Sequence, residues 1–209
     1  MPNLNLENNI IEDVVLFYPK IKTASFKYQS QTEKEWAVTA IVDKKIKAAW
    51  NKAFPKQKVK EIEYDEFVEK YGAEYAIGDE EQYVLTLKKA AQYQDKETKE
   101  FLPLPDKYRP RAFMDNGSGE LVDITFTHLI GNGSKGVVQF EVNENSFGTF
   151  AKLAAIRVDD LVVVEQSGEG KFNVLGNVSQ LAENPKAKEE SKSNDADNEN
   201  QSDDDSIPF

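Results

Sequence analysis

Cysteine is absent from the 209 residues, which excludes disulfides, thiol nucleophiles and thiolate zinc sites together. Histidine occurs once, at His128, so two-histidine metal motifs are excluded as well. No apolar run approaches the ~20 residues of a membrane span. Met1 to Asn9 has no basic stretch followed by an apolar one, so the expected location is the cytoplasm, with no membrane partner. Nucleophile elbow, kinase signatures and dinucleotide fingerprint are all missing, and no internal repeat is evident. Gly131 to Gly136 (GNGSKG) lacks P-loop spacing, and β-branched Val137 and Val138 follow it where a helix would be needed. Asp79-Glu80-Glu81 and Asp159-Asp160 come without a second ligand set. A lone histidine without an acid or nucleophile motif reads as structural. No enzyme, cofactor or metal is therefore expected.

Basic charge is also scarce in total: 26 Lys+Arg stand against 37 Asp+Glu, a net charge of -11. Taken whole, this argues against nucleic acid as a partner. Divided along the chain, it does not. Residues 183–209 hold nine acids and three lysines, so six of the eleven excess charges lie there. Residues 20–60 hold eleven lysines and three acids; residues 61–82 hold nine acids and one lysine. Residues 83–111 return to a local +3. Such blocks imply surfaces with different tasks.

Apolar periodicity marks the elements. Ile11 to Tyr18 reads as a short strand closed by Pro19, and Lys22 to Gln29 as a weaker one. Trp36 to Asp43 is a strong strand. Lys44 to Phe54 has helical spacing, with Ile46, Ala49, Trp50 and Phe54 on one stripe, Asp43 as N-cap and Pro55 as stop. Tyr64 to Tyr71 reads as a second helix ended by Gly72. Gln82 to Ala91, Arg111 to Asp115, Leu121 to Ile130, Val137 to Val142 and Leu153 to Val164 read as strands. Phe101 to Pro110, with three prolines, reads as a loop, and Gly131 to Gly136 as a tight hairpin turn. The expected fold is mainly β: a single OB-like antiparallel barrel over residues 1–182, with one or two helices in a charged insert at about 44–81. A β-sandwich is the alternative.

Aromatic and basic residues interleave in two stretches. Lys20, Lys22, Phe26, Lys27, Tyr28, Lys34 and Trp36 form the first. Lys88, Lys89, Tyr93, Lys96, Lys99, Tyr108, Arg109, Arg111 and Phe113 form the second. Single strands are held by cations along the backbone and by flat rings on which bases stack. The expected binding set is Lys20, Lys22, Tyr28, Lys34, Trp36, Lys88, Lys89, Tyr93, Tyr108, Arg109, Arg111 and Phe113, with Lys135 at the glycine-rich turn. Phe26, Trp36 and Phe113 could equally serve the core; Tyr93 and Tyr108, in polar or Pro-rich surroundings, suit exposed platforms.

Residues 183–209 have too little apolar surface to offset the entropy of ordering and read as a disordered acidic tail. It ends in Asp203-Asp204-Asp205-Ser206-Ile207-Pro208-Phe209. Phe209 suits an apolar pocket on a partner, with basic groups receiving its carboxylate and the aspartates. Pro208 restricts Ile207 to extended conformations.

That tail resembles the tail tip of single-stranded DNA-binding proteins, bacterial and phage. Phe17-Tyr18-Pro19, Trp36 to Asp43, Arg109-Pro110-Arg111 and Leu129-Ile130-Gly131-Asn132-Gly133-Ser134 resemble the OB-fold single-stranded DNA-binding proteins of tailed bacteriophages. The resemblance covers most of residues 13–165 in element order. It implies a barrel that coats single-stranded DNA without sequence preference in phage replication, recombination and repair. It also implies a tail that competes with DNA and recruits replication proteins. The insert at 44–81 departs from it, and the zinc ligands of one phage type are missing. Two other readings stand beside it. One is an assembly factor working through its tail, with the barrel as scaffold; the other is a metal-dependent nuclease. Oligomeric state stays open, a homodimer being one option.

Overall fold

The computed structural model describes residues 1–166 and 172–177, with side chains to 164. The acidic tail, including Asp203 to Phe209, lies outside the described residues. The elements, in chain order, are β1 (Asn3–Asn5), β2 (Ile10–Phe26), β3 (Lys34–Val42), α1 (Lys44–Ala53), β4 (Lys60–Ile62), α2 (Tyr64–Tyr71), β5 (Gln82–Ala90), β6 (Gln92–Gln94), β7 (Phe101–Pro103), β8 (Arg111–Asp115), β9 (Leu121–Asp123), β10 (Ser134–Asn145), β11 (Gly148–Asp160), β12 (Val162–Gln166) and β13 (Phe172–Asn177). Among the described residues, no helix is long and apolar enough to cross a membrane.

One sheet runs in the order β4-β5-β3-β2-β10-β11-β8-β9, with β1 added to β2. Every pairing in it is antiparallel except β8 with β11, which is parallel. Following strand directions along the order, β5 and β8 run the same way. They are two halves of one barrel strand, interrupted by residues 91–110. The sheet curls until β11 also reaches β5, and the parallel β8–β11 ladder completes the closure. The result is a five-strand Greek-key barrel of OB type: β2, β3, β5 continued by β8, β10 and β11. The OB-like antiparallel barrel expected from sequence is thus found, with one parallel seam where a strand joins its neighbour after a long excursion.

Alternation along the strands fills the interior. Val38, Ala40 and Val42 of β3 meet Leu85 and Leu87 of β5, Val138 and Phe140 of β10, and Leu153 and Ile156 of β11. Helix α1 seals one end. Asp43 caps it, its Oδ1 accepting from the Ile46 N–H at 2.7 Å. Ile46, Trp50 and Phe54 point inward, and Trp50 meets Phe140 edge-on at 5.2 Å. The Trp50 indole donates to the Gln57 carbonyl at 2.7 Å, so its polar atom is satisfied inside. Ala49, expected on this stripe, is exposed.

A second apolar cluster lies outside the barrel. Phe67 and Tyr71 of α2 cover Phe17, Ile41, Val84 and Ile62 on the outer face of β2, β3, β5 and β4. The insert is thus docked on the barrel at two places. Tyr75 extends the contact: its ring lies 5.1 Å from Phe17, and its hydroxyl occupies the space where a Cβ on Gly133 would stand.

Four sequence expectations are corrected here. Pro19 does not close a strand; β2 runs on to Phe26, and Pro19 sits in a register shift between Phe17 and Lys20, where its missing N–H costs no ladder bond. The Leu121–Ile130 strand ends at Asp123, because Thr127 and His128 turn back to donate to the Ile124 carbonyl. The glycine-rich turn is no hairpin, since β10 pairs with β2 and β11 instead of the preceding segment. Leu153 to Val164 is also divided, β11 ending at Asp160 and β12 starting at Val162.

Candidate nucleic-acid interface

At the end of the barrel opposite α1, several segments converge. The β6–β7 hairpin is tied to the start of β3: the Lys34 N–H donates to Gln92 Oε1 at 2.6 Å, and the Ala91 N–H to the Lys34 carbonyl at 2.9 Å. The turn at Asp106–Tyr108 is tied to β2, where Arg109 Nη1 donates to the Lys22 carbonyl at 2.8 Å. These ties gather the β2–β3 loop, the hairpin and the residues around 106–111 into one collar.

Exposed rings mark this collar: Phe26 and Tyr28 from the β2–β3 side, Tyr93 from the hairpin, Tyr108 from the turn, and Phe126. Tyr28 is 82% exposed. Lysines stand over two of the rings: Lys34 Nζ is 5.1 Å from the Phe26 centroid and Lys107 Nζ 5.0 Å from that of Tyr108. Lys22 is exposed beside them.

Under the collar lies a stack. Trp36 is only 3% exposed and belongs to neither apolar cluster. Its cover is the Arg109 guanidinium, 5.4 Å from the indole centroid and 4.8 Å from that of Phe126. Phe126 is 48% exposed and also meets Arg111, at 5.5 Å. Trp36 therefore offers no open platform in this structure, whereas Phe126 stays half-exposed beside the two guanidinium groups. Asp106 holds both arginines: its Oδ2 accepts from Arg111 Nη2 at 2.7 Å, and its Oδ1 lies 2.9 Å from Arg109 Nε. The second pair is close but out of line for a hydrogen bond, so its attraction is electrostatic. Asp123 Oδ2 stands 3.7 Å from Arg111. Partial burial works against the charge of Asp123. The Thr125 hydroxyl and N–H, with Arg111, outweigh it and hold the carboxyl below its ordinary range.

The other expected residues lie further off. Lys20 and Lys88 flank Ala37 across β2, β3 and β5, on the outer face between the collar and α2. Lys88 pairs with Glu35 at 2.7 Å. Lys89 is mostly covered and lies 3.4 Å from Glu141. Phe113 is half-buried on the outer face of β8, beside Leu121 and Arg157. Lys135 stands apart, beside Asp13, Asp159 and Asp160. The quoted motifs at Tyr18 and Asn132 do meet: the Tyr18 N–H donates to Asn132 Oδ1 at 2.7 Å, beside a mainly apolar cleft of about 450 Å³.

Besides Lys107, which stands over Tyr108, two further residues enter the collar without a sequence signal strong enough to place them. Phe126 was hidden inside an apparent strand, and Asp106 inside a Pro-rich loop. A Pro-rich run between two strands of one barrel, carrying Asp-Lys-Tyr-Arg, is the signal that could have found Asp106.

No family model matches this chain, and no curated protein does. Among solved structures, the chain is similar to gp2.5, a single-stranded DNA-binding protein encoded by bacteriophage T7, at 16% identity and a TM-score of 0.44, covering 77% of this chain and 94% of that one. It is similar also to the single-stranded DNA-binding protein of bacteriophage Enc34, in a C-terminal truncation, at 14% identity and a TM-score of 0.40, covering 76% and 93%. The same Enc34 protein in complex with single-stranded DNA gives 14% identity and a TM-score of 0.39.

Proposed function

We propose that this chain binds single-stranded DNA through the collar, without base preference. One observation carries the reading: five exposed aromatic rings and the cations Lys22, Lys34, Lys107, Arg109 and Arg111 gather at one end of an OB-type barrel. Exposed rings gathered this way mark a binding surface. Rings alternating with cations fit a polymer of flat bases joined by phosphates. Each stacked base contributes about 1–3 kcal/mol, whichever base it is. A duplex keeps its bases stacked inside and cannot use the rings. The sequence resemblance to phage single-stranded DNA-binding proteins supports the same reading, and with it a role in phage replication, recombination and repair in the host cytoplasm. No catalytic step is assigned to the site.

The acidic segment 183–209 has a place in this reading. Tethered to the barrel, a polyanion has a high effective concentration at a basic collar and holds off weak ligands. Long single strands displace it, and Phe209 becomes free for replication proteins.

The test is binding of oligo-dT and of a duplex, each at two salt concentrations. Tight oligo-dT binding that weakens with salt, with weak duplex binding, is expected. Equal affinity for both forms would overturn the reading. Removing 183–209 is expected to tighten oligo-dT binding at low salt. Unchanged affinity would reject the competition while leaving the collar in place.

A further inference from the structure

We infer that Asp106 is a built-in stand-in for a DNA phosphate, and that strands bind the arginines of the collar by exchange with it. This rests on the single-strand reading above. One carboxylate engages both guanidinium groups that cover the collar, Arg111 by a hydrogen bond at 2.7 Å and Arg109 at 2.9 Å. Its side chain is 54% exposed, so an incoming anion can reach it. A phosphate offers the same charge and the same forked acceptor geometry. Arg109 Nη1 donates to the Lys22 carbonyl, but its Nε is buried without a well-aligned partner, and so is the indole N–H of Trp36 beneath it. Buried donors left unpaired are costly, and an acceptor that fits them better is favoured. With Asp106 in place, part of the charge of the two arginines is already offset before a strand arrives.

Exchange has a signature distinct from simple attraction. When a phosphate takes the arginines, the released carboxylate remains beside the strand and offsets about one neutralised phosphate. Replacing it by Asp106→Asn is expected to tighten oligo-dT binding about fivefold at low salt, the scale of freeing two half-exposed ion pairs. It should also steepen the slope of log affinity against log salt by about 0.7. Asp123→Asn, at 3.7 Å from Arg111 alone, should change both far less. Weaker binding by Asp106→Asn, or an unchanged affinity and slope, overturns the inference. If the variant does not fold, the Nε–Hε signals of Arg109 and Arg111 decide it in the intact protein. They should move on adding oligo-dT and stay put on adding sodium chloride; failure to move with oligo-dT overturns it. Absence of any oligo-dT binding by the unaltered chain overturns the single-strand reading instead.

Discussion

Trp36 and Trp50 are both buried, in different surroundings. Trp50 is sealed under α1 with its N–H satisfied by Gln57. Trp36 lies under an arginine with its N–H unpaired. Trp50→Ala is expected to cost about 3–5 kcal/mol of stability, read by denaturant unfolding. Phe126→Ala, at a half-exposed ring, should leave the melting temperature nearly unchanged. It should weaken oligo-dT binding by about 1–3 kcal/mol, read by titration. Asp123 supplies a pH test. Its carboxyl is held below the ordinary range in the folded state, so its stabilising share is fully present above the unfolded value, near pH 4. That share is lost as pH falls through the lower folded value. Asp123→Asn should therefore narrow the gap in melting temperature between pH 6 and pH 3, as measured calorimetrically.

At the scale of elements, close packing between strands is most exposed at Gly136. A Cβ there would stand 1.9 Å from the Arg157 carbonyl, at the register shift of the β10–β11 ladder. Gly136→Ala should cost about 3 kcal/mol, because the backbone of β11 must shift; a cost under about 1 kcal/mol in urea unfolding would contradict this. The elements also differ in how far they could be read from sequence. Helix α1 was legible from Asp43 and the Ile46–Trp50–Phe54 stripe, since caps and periodicity are local. The two halves of the third barrel strand were both found as strands. Their union was not legible, because it depends on which neighbour closes the sheet. Pro19 reads locally as a stop, yet a bulge lets β2 pass through it. The same limit applies to the collar. The lysines and tyrosines could be read as an interleaved set. Asp106 lies only three and five residues from the arginines it holds, but that Arg109 would cover Trp36 depends on pairings between distant segments, such as its bond to the Lys22 carbonyl 87 residues away.

For the whole molecule, charge is divided by face as well as along the chain. The collar gathers rings and cations at one end. The insert fastens its acidic stretch to the outer face through Phe67 and Tyr71. Bound oligo-dT should therefore slow amide exchange in residues 22–36 and 92–111, and leave 63–81 unchanged. Protection of α2 would place the strand on a different path.

The interruption of the third barrel strand has a mechanical consequence. Residues 91–110, which carry much of the collar, hang between β5 and β8. In the single-strand reading proposed above, a pull on a strand held at the collar would be passed to those two strands along their length, beside the ties to β2 and β3. On one side it reaches the long β3–β5 ladder. On the other it reaches four paired residues, Arg111 to Met114 against Ala155 to Val158. Force along such a ladder strains its hydrogen bonds together, as shear, where a sideways pull would peel them singly. In that reading the short parallel seam that shuts the barrel would also be its fuse under tension.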